Sequence, residues 1–271
     1  MKTKIDRRFR VLLFLGALFF VFAHALGAEK QGSPSQKEES EMKKNSGAAR
    51  DKMGGPSPGQ GDKGKKPIVM PIYKPPLRGA PSGRVGGGTR GGDLRHPSAC
   101  VIAPDHVGLT VHDQPHFYWF LSEPTQHPIE FTLIENRAVT PRLEMRIENP
   151  AQAGIQKISL ADFGEVRLKK GFRYEWYVAV ILDPDHRSMD IVSGAQVEMV
   201  PLSSRLKQKL DGVPGSMLAH VYAEEGLWYD ALHSVSAMIE AHPGEASFKQ
   251  QRASLMEQVG LRWIAQMPPL F

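Results

Sequence analysis

The stretch "LKKGFRYEWYVAVIL", Leu168 to Leu182, decides the fold. Read with a period of two, Phe172, Tyr174, Trp176, Val178, Val180 and Leu182 share one face, which predicts a half-buried β-strand. Lys170-Gly171 and Asp183-Pro184 are turn signals that bound it. The same period recurs on both sides. "RLEMRIE" sets Leu143, Met145 and Ile147 against Arg142, Glu144, Arg146 and Glu148. "IEFTLIE" alternates Ile129, Phe131 and Leu133, "HFYWFL" supplies Phe117, Trp119 and Leu121, and "AQVEMV" closes with Val197 and Met199. Asn149-Pro150 is a further turn signal. Short strands at this spacing predict an antiparallel sandwich of about 100 residues.

Leu168, Gly171, Tyr174, Trp176 and Val178 sharpen that expectation. The pattern resembles the late strand of fibronectin type III domains, where a leucine precedes a turn and a tyrosine follows six residues on. The tyrosine hydroxyl of such a corner bonds backbone across the turn. The expected fold class is therefore an all-β immunoglobulin-like sandwich over 96–200, followed by a small α-helical subdomain over 201–271.

The switch to a helical period comes after Pro201, with Ser203 or Ser204 as the first cap. Ser204-x-x-Lys207 matches one element of penicillin-recognising serine enzymes, but the companion motifs are missing from the sequence. "GSMLAHVYAEEGLWYDALHSVSAMIEAHPGEA" resembles a single tetratricopeptide repeat, carried by Leu218-Ala219, Tyr222, Gly226, Trp228, Ala231 and Pro243. Ala219 and Ala231 are small where two helices must touch, and Gly226 suits a left-handed cap. Met238 departs from the repeat, where a smaller residue is usual. A third helix is expected over about Glu245 to Val259, ended by Gly260. One repeat cannot bury its apolar face alone, so the stripe of Leu218, Val221, Tyr222, Leu232, Val235 and Ile239 must cover the sandwich or another chain.

The N-terminus reads as an address. Lys2, Lys4, Arg7, Arg8 and Arg10 precede an apolar run of 12 residues, Val11 to Phe22. A transmembrane helix needs about 20 such residues. Small residues follow, with cleavage frames at Ala23-x-Ala25 and Ala25-x-Gly27, so 1–28 is expected to be a signal peptide or an uncleaved anchor. Either form places the remainder outside the cytoplasm, periplasmic or secreted. From Gln31 to Lys66 there is no Val, Ile, Leu, Phe, Trp or Tyr, so 29–77 is expected to be a disordered basic and proline-rich linker. At its end, "PIVMPIYKPPL" leaves two alternatives open: a solvated linker, or a segment docked through Ile68, Met70, Ile72 and Leu77.

The chain has 271 residues and a formal net charge of +5, which invites a nucleic-acid reading. The charge is unevenly placed. Residues 1–28 carry five basic and one acidic side chains, 29–95 carry fourteen and seven, and 96–271 carry fifteen and twenty-one. The part able to fold is acidic and repels a polyphosphate backbone, so no nucleic acid is expected as a partner. The single cysteine, Cys100, allows no internal disulfide and reads as a buried small side chain.

Candidate chemistry is sparse. "RGAPSGRVGGGTRGG", within the expected segment 78–95, is no P-loop, because no strand precedes it and no Gly-Lys-Ser/Thr ends it. It reads as a flexible basic tether, or as a backbone nest for an anion assisted by Arg84 and Arg90. "DPDHRSMD" groups Asp183, Asp185, His186, Arg187 and Asp190, but lacks the glycine at the sixth position of a calcium loop. A hairpin with aspartate capping and an Arg187 ion pair fits better. His106, His112 and His116 follow no metal spacing and read as loop residues. Candidate contact residues are Arg84 and Arg90, the sandwich aromatics Tyr118 and Tyr177, the acidic loop with Arg187, and exposed cap aromatics Trp228 and Tyr229. No cofactor, metal or catalytic constellation is expected.

Four stretches, "GAPSGRVGGGTRGG", "VGLT…QPHFYWFL", "YEWYVAVILDPDHRSMD" and "YAEEGLWYDAL", resemble an uncharacterised bacterial family, chiefly cyanobacterial, known as domain-of-unknown-function family 928. Its members often carry a cysteine before the Asp-Pro, where this chain has Leu182. The resemblance implies architecture and no reaction. It also suggests that the glycine stretch Gly79 to Gly92 is more than filler, and sets docking on the sandwich or a ligand beside the tether as an equal alternative, since glycine permits close backbone approach. The resulting expectation is an exported, non-enzymatic binding or scaffold protein with a protein partner in the cell envelope. A hydrolase of envelope polymers built on Asp183, Asp185, His186 and Asp190, and a polysaccharide- or wall-binding module using Tyr118 and Tyr177, stand as alternatives. Membrane contact is expected only through an uncleaved N-terminus, and oligomeric state is left open.

Overall fold

The computed structural model describes residues 68–76, 84–86, 97–147 and 151–267. The signal-like segment, the tail through residue 67, Leu77, Arg90 and the Asn149-Pro150 turn lie outside the described residues. Strand β8 (Arg173–Val180) is central in the larger sheet. It pairs antiparallel with β5 (Ile129–Glu135) on one side and β9 (Ile191–Met199) on the other. β6 (Leu143–Ile147) continues the sheet beyond β5. Beyond β9 lie the short β1 (Val85–Gly86), antiparallel, and β3 (Gly108–Thr110), parallel. The second sheet has the order β2 (Ala99–Val101), β4 (His116–Leu121), β7 (Gly154–Ser159), all antiparallel.

The period-two faces meet between the sheets. Phe117 of β4 packs on Phe131 of β5 and Trp176 of β8, with ring centroids 5.6 and 4.8 Å apart. Tyr174, Trp176, Val178 and Val180 are buried as their alternation requires. Phe172 is exposed instead, because it precedes the strand in the turn at Gly171, where the Lys169 ammonium sits 5.8 Å from its ring centre. Tyr174 Oη accepts the Lys169 backbone N–H at 3.1 Å, so the hydroxyl satisfies a turn donor across the corner. Cys100 is buried in β2, and burial raises its thiol pKa against the opposing effect of Arg84.

Among the described residues five α-helices follow: α1 (Ser204–Leu210), α2 (Gly215–Glu224), α3 (Trp228–Ala241), α4 (Ala246–Gln258) and α5 (Arg262–Gln266). Ser203 caps α1 by accepting the Leu206 N–H at 3.1 Å. Gly226, between α2 and α3, has φ +75°, the left-handed geometry its position requires. Ala219 and Ala231 are buried. α3 lies against β3 and β4, one strand from each sheet, and closes the side of the sandwich.

This placement overturns the expectation of exposed aromatics. Trp228 and Tyr229 are 0 % and 1 % exposed. Trp228 Nε1 donates to Ile102 O at 3.1 Å. The Tyr229 ring packs on Phe117 with centroids 5.6 Å apart, and a Cβ on Gly108 would fall 2.6 Å from it. Its hydroxyl accepts from Trp176 Nε1 at 2.8 Å and donates to Gln196 O at 2.9 Å. β4 is likewise buried on both faces. Tyr118 lies against α3, and Phe120 meets Trp263 of α5 edge-on at 5.6 Å. One continuous cluster of buried side chains therefore runs from both sheets into α1–α5.

Candidate functional site

The site begins with a segment expected as linker. Residues 68–76 run without a turn or bend across the ends of α2 and α4, so the docked alternative describes them. Proline supplies the reason: Pro71, Pro75 and Pro76 restrict the chain to extended backbone and leave fewer N–H groups to satisfy. The docking face is not the one expected. Ile72 is 66 % exposed, while Pro71 and Tyr73 are buried.

The helices hold the segment mainly by its main chain. The Gln258 amide clamps two positions: Oε1 accepts the Tyr73 N–H at 2.8 Å and Nε2 donates to Pro71 O at 2.9 Å. The Lys74 N–H donates to Ala223 O at the end of α2, 3.0 Å away. His220 Nε2 donates to Val69 O at 3.1 Å. Gly226 lets the backbones approach, since a Cβ there would lie 2.7 Å from Lys74 O. One side chain anchors the segment. Tyr73 is 7 % exposed, meets Trp228 edge-on at 5.1 Å and stacks on His106 at 5.9 Å. Asp105 Oδ1 lies 3.3 Å from His106 Nδ1, which places the proton there and leaves Nε2 to accept the Tyr73 hydroxyl at 2.9 Å. Burial, with Asp105 adding to it, raises the Tyr73 pKa far above its ordinary value, so the hydroxyl stays protonated.

Arg84, within the glycine-rich stretch, joins this seam. Its Nη1 donates to Ala103 O at 3.1 Å, and burial lowers its pKa while Cys100 and Asp105 oppose the shift. Loop 102–106 thus receives Trp228, Tyr73 and Arg84 together. Gly86 follows at φ +72°, where a Cβ would fall 1.8 Å from Val192 O, so only glycine lets β1 close on β9. The docking expectation for the glycine stretch describes residues 84–86.

A second polar cluster lies where α3 covers β4. The rings of His116 and His233 stack at 3.5 Å and 4°. His116 therefore begins a strand and faces a helix, correcting its reading as a loop residue. His233 Nδ1 is 3.0 Å from Tyr118 Oη. Burial lowers both imidazoles, His233 to about 4; Lys157 adds to the effect on each, as does His116 on His233 and His112 on His116. Lys157 itself pairs with Glu240 at 2.8 Å. Nearby, buried Asp230 accepts Thr110 Oγ1 at 3.0 Å and the Val111 N–H at 3.1 Å, with His112 Nε2 at 3.5 Å. Burial pushes the Asp230 carboxyl up to about 6 against those favourable contacts.

The remaining sequence candidates do not converge. Tyr118 is 2 % exposed, so it offers no sugar-stacking face, a correction that follows from the helices covering β4. Tyr177 is half-buried over Gly194 and donates to Glu175 at 2.6 Å. In the β8–β9 hairpin, Asp183 Oδ1 accepts the Asp185 N–H at 2.9 Å, and its Oδ2 pairs with His186 at 2.7 Å. Arg187 bridges Asp190 at 2.6 Å and Glu130 at 3.0 Å. The Asp183 bonds are local ties within the hairpin, and Arg187 ties the hairpin to Glu130 of β5. Among the described residues, no group of three or more His, Cys, Asp or Glu is placed to hold a metal. An open cavity of about 510 Å³ at the far end of α2 and α3, lined by Gly215, Met238, His242 and Phe248 among others, includes none of the sequence candidates. The residues that hold segment 68–76 were missed by sequence reasoning, save Trp228. Tyr73 did carry a signal, as the one aromatic between Glu29 and Arg95.

The molecule is thus a two-sheet β domain joined to a helical layer that grips an extended segment. The sequence model of the family described as Domain of Unknown Function (DUF928) matches residues 85–269, and the chain belongs to that family. No curated protein matches the chain.

Proposed function

We propose that this chain is an exported, non-enzymatic protein-binding or scaffold module of the cell envelope, periplasmic once its N-terminal signal is removed. The observation that carries the reading is the grip on residues 68–76. Gln258, Ala223 and His220 pair with main-chain groups at positions 69, 71, 73 and 74, which is how a peptide-binding surface holds an extended ligand. The finer architecture supports it. Strand orders β2-β4-β7 and β6-β5-β8-β9, with the Tyr174–Lys169 corner, favour an immunoglobulin-like sandwich, a frequent carrier of binding surfaces. The α2–α3 hairpin with Gly226 between its helices favours the tetratricopeptide-like reading. The basic-then-apolar N-terminus supports export.

The test is fractionation of the native host with mass spectrometry of the mature N-terminus, joined to in-cell crosslinking. The expected result is an envelope-localised chain starting after Ala25 or Gly27 and crosslinked to a protein. A full-length chain confined to the cytosol refutes export. A crosslinking pattern identical to that of an unrelated exported protein refutes the binding role.

A further inference from the structure

The contacts on residues 68–76 divide unevenly between main chain and side chain. The main chain supplies hydrogen-bonding groups at Val69, Pro71, Tyr73 and Lys74. Those bonds carry no sequence information. Selectivity rests on the Tyr73 ring, enclosed by Trp228 and His106 with its hydroxyl on His106 Nε2. The Lys74–Glu224 ion pair at 2.9 Å is exposed on both sides and contributes little. Val69 and Ile72 point their apolar side chains to solvent. The surface therefore reads an extended, proline-spaced backbone with one buried tyrosine, and is indifferent to most other side chains.

Geometry also makes the occupant separable from the fold. Among the described residues, the strands, the helices and all of the interior cluster but Tyr73 come from residues 84 onward; the segment adds that one ring and otherwise lies along the edge at α2, α4 and loop 102–106. Resting on the protein-binding reading above, we propose that this surface is a recognition groove for an extended partner peptide with a proline-spaced tyrosine, and that residues 68–76 are its resident, displaceable occupant in the unbound chain. A tethered occupant competes at an effective concentration on the order of 1 mM. If the segment binds with an intrinsic constant of about 10 μM, the tether weakens any competing peptide roughly 100-fold. Weakening the resident segment should restore that factor.

The experiment uses the full chain and a fluorescent peptide with the sequence of residues 67–76. Its anisotropy is measured with wild type, Tyr73→Ala and Gln258→Ala, each checked by circular dichroism. The peptide should bind Tyr73→Ala roughly 10–100-fold more tightly than wild type and raise its melting temperature. Its own Tyr→Ala version should bind neither, and Gln258→Ala, which weakens the resident segment and the added peptide alike, should bind the peptide no more tightly than wild type does. If Tyr73→Ala fails to fold, a protease site placed between Pro76 and Arg84 of the otherwise native chain replaces it. After cleavage, exchange of the cut segment for labelled peptide supports the proposal. A cut segment that never exchanges, or that leaves without the peptide taking its place, overturns it and makes 68–76 a purely structural strap. Absence of binding to folded Tyr73→Ala at 1 mM peptide also overturns it. Sedimentation of the same samples closes the last alternative: dimers formed by wild type would assign the groove to the segment of a second copy and overturn the partner reading. These outcomes are independent of the envelope crosslinking, which fails or succeeds through any surface of the chain.

Discussion

Replacing Tyr229 with phenylalanine deletes one oxygen and tests whether the sandwich and the helices share an interior. That oxygen accepts from Trp176 Nε1 at 2.8 Å and donates to Gln196 O at 2.9 Å, joining α3 to β8 and β9. Trp176 and Tyr229 are both buried, so water cannot replace the lost partner without repacking. A buried donor left unsatisfied costs about 1–3 kcal/mol, and the carbonyl adds a smaller amount, for a loss of about 3 kcal/mol. In a body of roughly 200 residues each kcal/mol lowers Tm by about 2–4 °C, giving a fall of roughly 6–12 °C. Urea and thermal unfolding would be followed by far-ultraviolet circular dichroism for the helices and by tryptophan fluorescence for the core. Both signals should move together by the full amount with m unchanged. A folded variant that loses less than about 0.5 kcal/mol, or wild-type transitions that separate by probe, refutes the reasoning.

Three further expectations follow from local geometry. Tyr174→Phe removes the bond to the Lys169 N–H and should cost about 1 kcal/mol in urea unfolding, since the turn donor can reach water; an unchanged midpoint would dismiss the corner as a stabilising device. Gly226→Ala puts a Cβ 2.7 Å from Lys74 O at φ +75° and should cost about 1–2 kcal/mol, with faster proteolysis inside 68–76; unaltered proteolysis would show that Gly226 does not govern the docking. Asp230 and His233 should oppose each other on acidification. Asp230 is raised to about 6, so the native state holds the tighter proton, and this group's contribution falls as pH rises from its ordinary range toward 6. His233 is lowered to about 4, so its contribution is present above about 6.5 and is lost as pH falls toward 4. Asp230→Asn should therefore steepen the loss of stability between pH 6.5 and 4, and His233→Gln should flatten it; urea midpoints across that range that shift alike in both variants would contradict the assignment.

Strands β4, β5, β6, β8 and β9 were legible because alternation is a local property, whereas β1, β2, β3 and β7 carry no clear alternation and were not read. Ile129, Phe131 and Leu133, or Tyr174, Trp176 and Val178, announce their shared face whatever lies opposite. The helices were legible for a similar reason, through Gly226 and the small Ala219 and Ala231. The aromatics Trp228 and Tyr229 were misread because a helix's sequence period reports which residues cluster, and not how far a neighbouring sheet rises around them. Tyr118 failed for the same reason, since strand alternation assigns it an outward face but cannot see α3 above that face. The docked segment was hidden because its affinity lies in main-chain groups, which every residue carries, and in partners such as Gln258 almost two hundred positions away.

From sequence alone this protein acquires its alternating strands, its helices, its sites of turning and the placement of its charge, since each depends on neighbours within a few residues. Tertiary structure alone decided that α3 packs against β3 and β4 and closes the side of the two sheets, that Tyr73 rather than Ile72 turns inward, and that His116 lies on His233. Those outcomes depend on which surfaces are left uncovered once the local elements exist, and no local pattern records that.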